Sequence, residues 1–127
     1  EHYNYRNALR YLQANEVVIF SAGTGNPFFS TDSAACLRAI EIDADIVIKA
    51  TSVDGVYSDD PKINQDATIY KNLSYDDFIA KKLAVMDMTA VCLARDYKLP
   101  IRVLNINDNQ ALLNLMQHQD IGTLISG

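Results

Sequence analysis

Three polar segments of the sequence, each following an apolar run, hold residue types that bind small anions. The first, Ser21–Ala35, reads SAGTGNPFFSTDSAA. Its small residues Ser21, Ala22, Gly23, Thr24 and Gly25 let the backbone approach a ligand closely. Thr24, Asn26, Ser30 and Thr31 add neutral donors. A helix starting at the far end would aim free N–H groups and a partial positive charge at an anion. The segment thus reads as a strand–loop–helix site for a phosphorylated small molecule, a nucleotide above all. Phe28 and Phe29 either wall a base or sugar or pack on the core. The glycine spacing is neither a Rossmann fingerprint nor a Walker A loop: a third glycine and a Gly-Lys-Ser/Thr are both missing. Asp32 is either a carboxylate stabilised by the helix dipole or an acid that needs Lys or Mg²⁺ between it and a phosphate.

The second segment, Thr51–Asp60, is TSVDGVYSDD. Here Tyr57 could stack a base and an acid could accept from ribose hydroxyls; the alternative is a solvated loop. The third is Asn105–Asn109. Asp87, in VMDMTA, reads as a helix N-cap or a functional acid. Lys49 ends an otherwise apolar run, and either snorkels to the surface or meets a phosphate. Cys36 and Cys92 have no pairing or metal spacing and read as packing residues in helices. His2 and His118 read as surface residues, with no triad or metal set around them.

The elements that must position these residues alternate. Tyr5, Ala8, Leu9 and Leu12 mark one helix face. Val17–Phe20 reads as a strand buried on both faces. A helix is expected over Thr31–Ile42, capped by Ser30 or Thr31, with Cys36, Leu37 and Ile40 inward. Asp45–Ala50 is a second strand, Ser52–Asn64 a polar loop, and Thr68–Tyr70 a short edge strand. Ser74 and Asp77 form a capping-box pattern before Phe78 and Ile79. Ala90, Leu93, Ala94 and Tyr97 mark another helix, Ile101–Leu104 a strand, Leu112, Leu115 and Met116 a last helix, and Thr123–Ile125 a last strand. Alternation of this kind predicts an α/β fold, a mostly parallel sheet with helices on both faces and ligands at the strands' carboxyl ends.

Composition limits the function classes. The chain has 127 residues, 49% apolar and 21% charged, as expected of one soluble globular unit. The formal net charge of −5 argues against binding along a nucleic acid backbone but leaves room for a small anion held by amides. No apolar run has the length of a membrane span, and the cysteine usage suits a reducing cytoplasm. The chain opens at Glu1, without Met, directly into a helical pattern. That reads as a piece of a longer protein.

SAGTGNPFFSTDSAA, DIVIKAT, VDGVYSDDP, KLAVMDMTA and LPIRVLN, in this order and spacing, resemble the C-terminal half of bacterial-type uridylate kinases (UMP kinases). These belong to the amino-acid kinase superfamily. The resemblance covers nearly the whole chain, and TGNPFFSTD is its most specific part. It implies a three-layer αβα sandwich in which residues 1–127 are the C-terminal nucleotide-binding portion and the N-terminal half is absent. It implies transfer of the ATP γ-phosphoryl to UMP, giving UDP, with Mg²⁺, in the cytoplasm. Thr24, Gly25, Asn26, Pro27, Phe28, Phe29, Ser30 and Thr31 match the loop that holds UMP. Thr51, Tyr57 and Asp60 match contacts to ATP. Asp32 matches an acid that organises catalytic lysines, and Asp87 an acid implicated in function.

Two further expectations follow from the resemblance. The family's phosphate-binding Lys and Gly-rich segments lie in the absent half, so this chain alone is expected to be inactive. It is also expected to form a homo-oligomer, as in the family's hexamers, or to pair with a complementing N-terminal fragment. Two positions depart from the pattern. Glu16 stands where GTP-regulated members carry basic residues, and Ser30 replaces the more usual threonine. Other readings of the chain are a superfamily member acting on a carboxylate or carbamate, and a nucleotide-binding module or remnant without turnover.

Overall fold

Apolar spacing and capping residues set the element order. A computed structural model describes residues 2–127. Helix α1 spans Tyr5–Gln13, and the Asn4 side chain accepts from Arg6 N and Asn7 N at 2.9 and 3.4 Å. Tyr3 ties this end to the next helix: the Arg38 guanidinium lies 3.7 Å from its ring centroid, and its hydroxyl donates to Glu41. Helix α2 spans Thr31–Glu41, capped by Ser30, with Asp32 in its first turn and Arg38 in its last, both favourable to the helix dipole. Strand β1 is Val47–Thr51 and β2 is Asn72–Ser74. Helix α3, Tyr75–Ala80, starts at Ser74, whose hydroxyl accepts from Asp77 N at 3.0 Å. Helix α4 is Met88–Asp96, β3 Ile101–Asn105, α5 Ala111–Met116 and β4 Thr123–Ser126.

The strands form one mixed sheet in the order β1-β3-β4-β2. Pairs β1–β3 and β2–β4 are parallel, and β3–β4 is antiparallel. In register, Val47 faces Ile101, Lys49 faces Val103 and Thr51 faces Asn105. Val47, Ile101, Val103 and Ile125 pack with Cys36 and Ala39 of α2, Phe78 of α3, and Ala90, Val91 and Ala94 of α4. Strand alternation points Leu104 to the opposite face, where it and Ala111 of α5 are buried. Helices therefore cover both faces, the three-layer arrangement of an α/β fold.

The segment expected as the first strand is different. Val17–Phe20 joins no ladder among the described residues, and Val17 and Ile19 are 93% and 88% exposed. A strand apolar on both faces needs hydrogen-bonded neighbours and two covering layers, and the described residues supply neither. Thr68–Tyr70 contributes one bridge, Ile69 with Tyr57, and β2 follows it. Helix α5 buries Ala111 and leaves Leu112 and Met116 exposed, the reverse of its expected apolar face. Tyr97 is the C-cap of α4 and is exposed. His2 and His118 are exposed, while Cys36 is buried and Cys92 half-buried.

Candidate active site

The carboxyl ends of β1 and β3 lie side by side because the two strands are parallel and in register at Thr51 and Asn105. The amino ends of α2 and α4 meet through their caps. Ser30 caps α2 by accepting from Ser33 N at 3.1 Å. Asp87 caps α4 by accepting from Ala90 N at 2.9 Å. The Ser30 hydroxyl in turn donates to Asp87, and the Ser33 hydroxyl lies 3.3 Å from the same carboxylate. Burial pushes the Asp87 carboxyl up. The hydrogen bonds from Ser30, Ala90 N, Ser33 and Thr89 N outweigh it and hold the group below the ordinary carboxylate range. Asp87 is thus both a cap and the fastener of the loop that precedes α2.

That loop, Thr24–Thr31, stands open to solvent. Thr24 Oγ1 accepts from Asn26 N at 3.1 Å and donates to Asn26 O at 3.3 Å, which fixes a tight turn. Gly25 has φ 74° and Phe28 has φ 69°, both left-handed. A bulky residue is strained there, and the Phe28 ring is fully exposed, with Phe29 57% exposed beside it. The two aromatic rings do not pack on the core. Pro27 completes the exposed rim between Asn26 and Phe28.

Asp32, the second residue of α2, pairs with Lys49 of β1; their side chains are 15% and 26% exposed. Lys49 therefore does not snorkel: its ammonium stays against the sheet end. Cys36 lies one helical turn below Asp32, and burial, then Asp32 and Asp87, push its thiol up to about 11.

On the other flank, Thr51 ends β1 and its carbonyl accepts from Ile106 N at 2.8 Å. Asn105 Nδ2 donates to Asp54 at 2.8 Å, and the Tyr57 hydroxyl reaches Asp54 at 3.4 Å. Burial, then Asp54, raise the Tyr57 phenol. The loop is tethered from below: Val56 is buried, and its N–H donates to Thr123 Oγ1 at 2.8 Å. Thr123 passes the bond on to Tyr70 O. A Cβ on Gly55 would lie 2.5 Å from Thr123 Oγ1, so a side chain there would collide with the tether. Asp60 stands apart on the exposed outer turn, where its Oδ1 accepts from Lys62 N at 2.9 Å.

The structure thus brings Ser30, Thr31, Asp32 and Asp87 to one point, places Thr51 beside it, and leaves Asp60 on the rim. Sequence reasoning missed Ser33, Thr123 and the Asn105–Asp54 bond. Each rests on long-range contact, though Asn105 lies in a flagged strand-end segment. A cleft of about 590 Å³ lies elsewhere, between α1 and residues 16–25, and reaches only the Thr24–Gly25 start of the loop. It is the hollow beside the unpaired Val17–Phe20 run. No group of three or more His, Cys, Asp or Glu among the described residues could hold a metal ion. Mg²⁺ needs no such cage when it arrives on phosphates with one or two carboxylates and water.

The joined starts of α2 and α4, the Lys49–Asp32 pair and the exposed Thr24–Thr31 loop thus lie at one corner of an α/β fold. The amino acid kinase family model matches residues 1–105, and the chain belongs to that family. Among curated proteins it is 62% identical over 125 residues to a uridylate kinase of Alcanivorax borkumensis, covering 98% of this chain and 50% of that protein. A uridylate kinase of Pseudomonas syringae pv. syringae is 60% identical, with 98% and 51% covered. The UMP kinase structure from Bacillus anthracis superposes with a TM-score of 0.96 at 38% identity, over 99% of this chain and 52% of that one. That from Ureaplasma parvum gives 0.91 at 33% identity, with 99% and 54% covered. The chain spans about half the length of the curated relatives it matches. No described helix is long and apolar enough to cross a membrane.

Proposed function

We propose that residues 1–127 are the C-terminal, nucleotide-binding portion of a UMP kinase, which transfers the ATP γ-phosphoryl to UMP in pyrimidine nucleotide synthesis in the cytoplasm. The observation that carries this is the junction of caps. Ser30, at the end of the exposed Thr24–Thr31 loop, is fastened to Asp87, next to the Asp32–Lys49 pair. An acceptor loop, an oriented charge pair and a strand end then share one corner of the sheet. The names of the relatives support the same reading.

In this reading Thr24–Thr31 hold UMP, with amides of the turn and the α2 terminus toward its phosphate and Phe28 and Phe29 beside its base and sugar. Thr51, Tyr57 and Asp60 border ATP. Asp32 orients cationic charge toward the transferred group, and Asp87 holds the acceptor loop to α4. Mg²⁺ bound with ATP would neutralise phosphate charge. Phosphoryl transfer depends on positioning and charge neutralisation rather than on a covalent nucleophile. One ammonium is too little for ATP and UMP together, so the chain alone is inactive and an N-terminal portion supplies further cations.

The test is a coupled assay of UDP formation. The chain alone is expected to give none. Fusing the N-terminal half of the Alcanivorax borkumensis enzyme ahead of it is expected to give UMP-dependent turnover. Turnover with aspartate, glutamate or carbamate instead would assign another acceptor. Tight UMP binding without turnover in the fusion would assign a sensing module.

A further inference from the structure

One side chain ties together the loops that leave two neighbouring strands. Thr51 and Asn105 are register partners at the carboxyl ends of the parallel strands β1 and β3. Asn105 divides its amide between the two loops that follow. Its Oδ1 accepts from Asn107 N at 2.9 Å and turns its own loop. Its Nδ2 crosses to Asp54 Oδ1, 51 residues earlier in the chain, at 2.8 Å. The other oxygen, Asp54 Oδ2, takes the Tyr57 hydroxyl at 3.4 Å. The carboxylate is a bridge, with Asn105 on the sheet side and Tyr57 on the loop side.

Stability does not account for this bridge. Asp54 is exposed, and a hydrogen bond that water can replace contributes little net to folding. Nor does the loop backbone depend on it. Val56 N donates to Thr123 Oγ1, Tyr70 N donates to Val56 O at 2.8 Å, and Ser58 N donates to Thr68 O at 2.8 Å. Those bonds fix where residues 56–58 run. They leave open where the Tyr57 ring points, because its side-chain angles turn independently of the backbone. Asp54 narrows that choice by holding the phenol end, and Asn105 holds Asp54.

Resting on the proposed function, we infer that Asn105 is a positioning residue for the phosphoryl donor: through Asp54 it sets the Tyr57 ring that borders ATP. A ring aimed before the nucleotide arrives need not be ordered during binding. Each side chain left to be ordered at that moment weakens affinity by about 2- to 12-fold. Removing Asn105 frees two, Asp54 and Tyr57. The acceptor side has no part in this bridge, since Ser30 and Ser33 are fastened to Asp87 instead.

The fusion described above tests this with Asn105→Ala, with Asn105→Asp, and with the exchange of Asn105→Asp and Asp54→Asn together, each checked by thermal unfolding. Asn105→Ala is expected to raise the KM for ATP at least about fivefold. The kcat and the KM for UMP should stay within about threefold of the parent. Asn105→Asp keeps the acceptor for Asn107 N and sets two carboxylates against each other, so it should raise the KM for ATP at least as far. The exchange rebuilds every bond. The amide at position 54 donates to the carboxylate at position 105, its oxygen still accepts from Tyr57, and Asn107 N keeps its acceptor. It should recover at least about threefold of the KM lost in Asn105→Asp. A loosened fold would raise both KM values and would not be mended by the exchange. If Asn105→Ala does not fold, Asn105→Asp and the exchange decide the matter. A smaller rise in the KM for ATP overturns the inference alone. So does a rise shared by UMP, a loss that falls on kcat, or an exchange that recovers less. A parent fusion that makes no UDP overturns the functional reading itself and this inference with it.

Discussion

Phe28 is the most costly residue of the exposed loop. Its left-handed backbone, φ 69°, disfavours any side chain, and its ring contributes no burial to offset that. Phe28→Gly is therefore expected to raise stability by ~0.5–1 kcal/mol in urea unfolding. The same change should weaken UMP binding in the fusion, measured by titration, because the wall beside the base is gone. Cys36 illustrates the opposite case. Its thiol is fully buried and pushed up to about 11, so almost no thiolate exists at neutral pH. Iodoacetamide at pH 8 is expected to leave Cys36 unlabelled in the folded chain and to label it in urea, as read by peptide mass. At this scale the sequence showed which residues were chemical but not their partners. Asp32 read equally well as a dipole-stabilised acid or a functional one. Only the fold, by laying β1 against α2, shows that Lys49 meets it.

Caps were the most legible element-level feature. Ser30, Ser74 and Asp87 all stand where their residue types demand, because capping is a bond to an amide three residues on. Strands were less so. Asn72–Ser74 has one apolar residue among three and no period to detect; its pairing with β4 comes from distant sequence. Val17–Phe20 has the composition of a buried strand, yet composition names no neighbour. The leucines of α5 misled for a related reason: a helix of six residues has too few turns for a face to be read. Asp87→Ala removes both a cap and the tie to Ser30 and Ser33, and is expected to cost about 1–3 kcal/mol in denaturant unfolding. Gly122 has φ 70°, and a Cβ there would lie 1.9 Å from Val103 O. Gly122→Ala is expected to lower the melting temperature by more than any exposed substitution, since backbone must move before β4 can pair with β3.

Across the whole molecule, β1 is an outer strand of the sheet, and Val17 and Ile19 stand nearly bare. Unpaired edges and apolar runs promote association. The Val17→Lys, Ile19→Lys pair is expected to shift the chain toward monomer in sedimentation velocity at equal concentration. The alternating pattern and the TGNPFFSTD loop made the layered fold and the candidate acceptor site readable. The mixed order β1-β3-β4-β2 was not, because strand order depends on crossovers that local pattern does not encode. The bond between the Ser30 and Asp87 caps also bears on how the protein breathes. Two helix starts that share one carboxylate cannot fray independently, so the amides of Ser33 and Ala90 should exchange with deuterium at one common rate. Because Asp87 titrates lower folded than unfolded, the carboxylate's contribution is complete above pH ~4. It fades as acid protonates the folded group, and both amides should lose protection in that same interval.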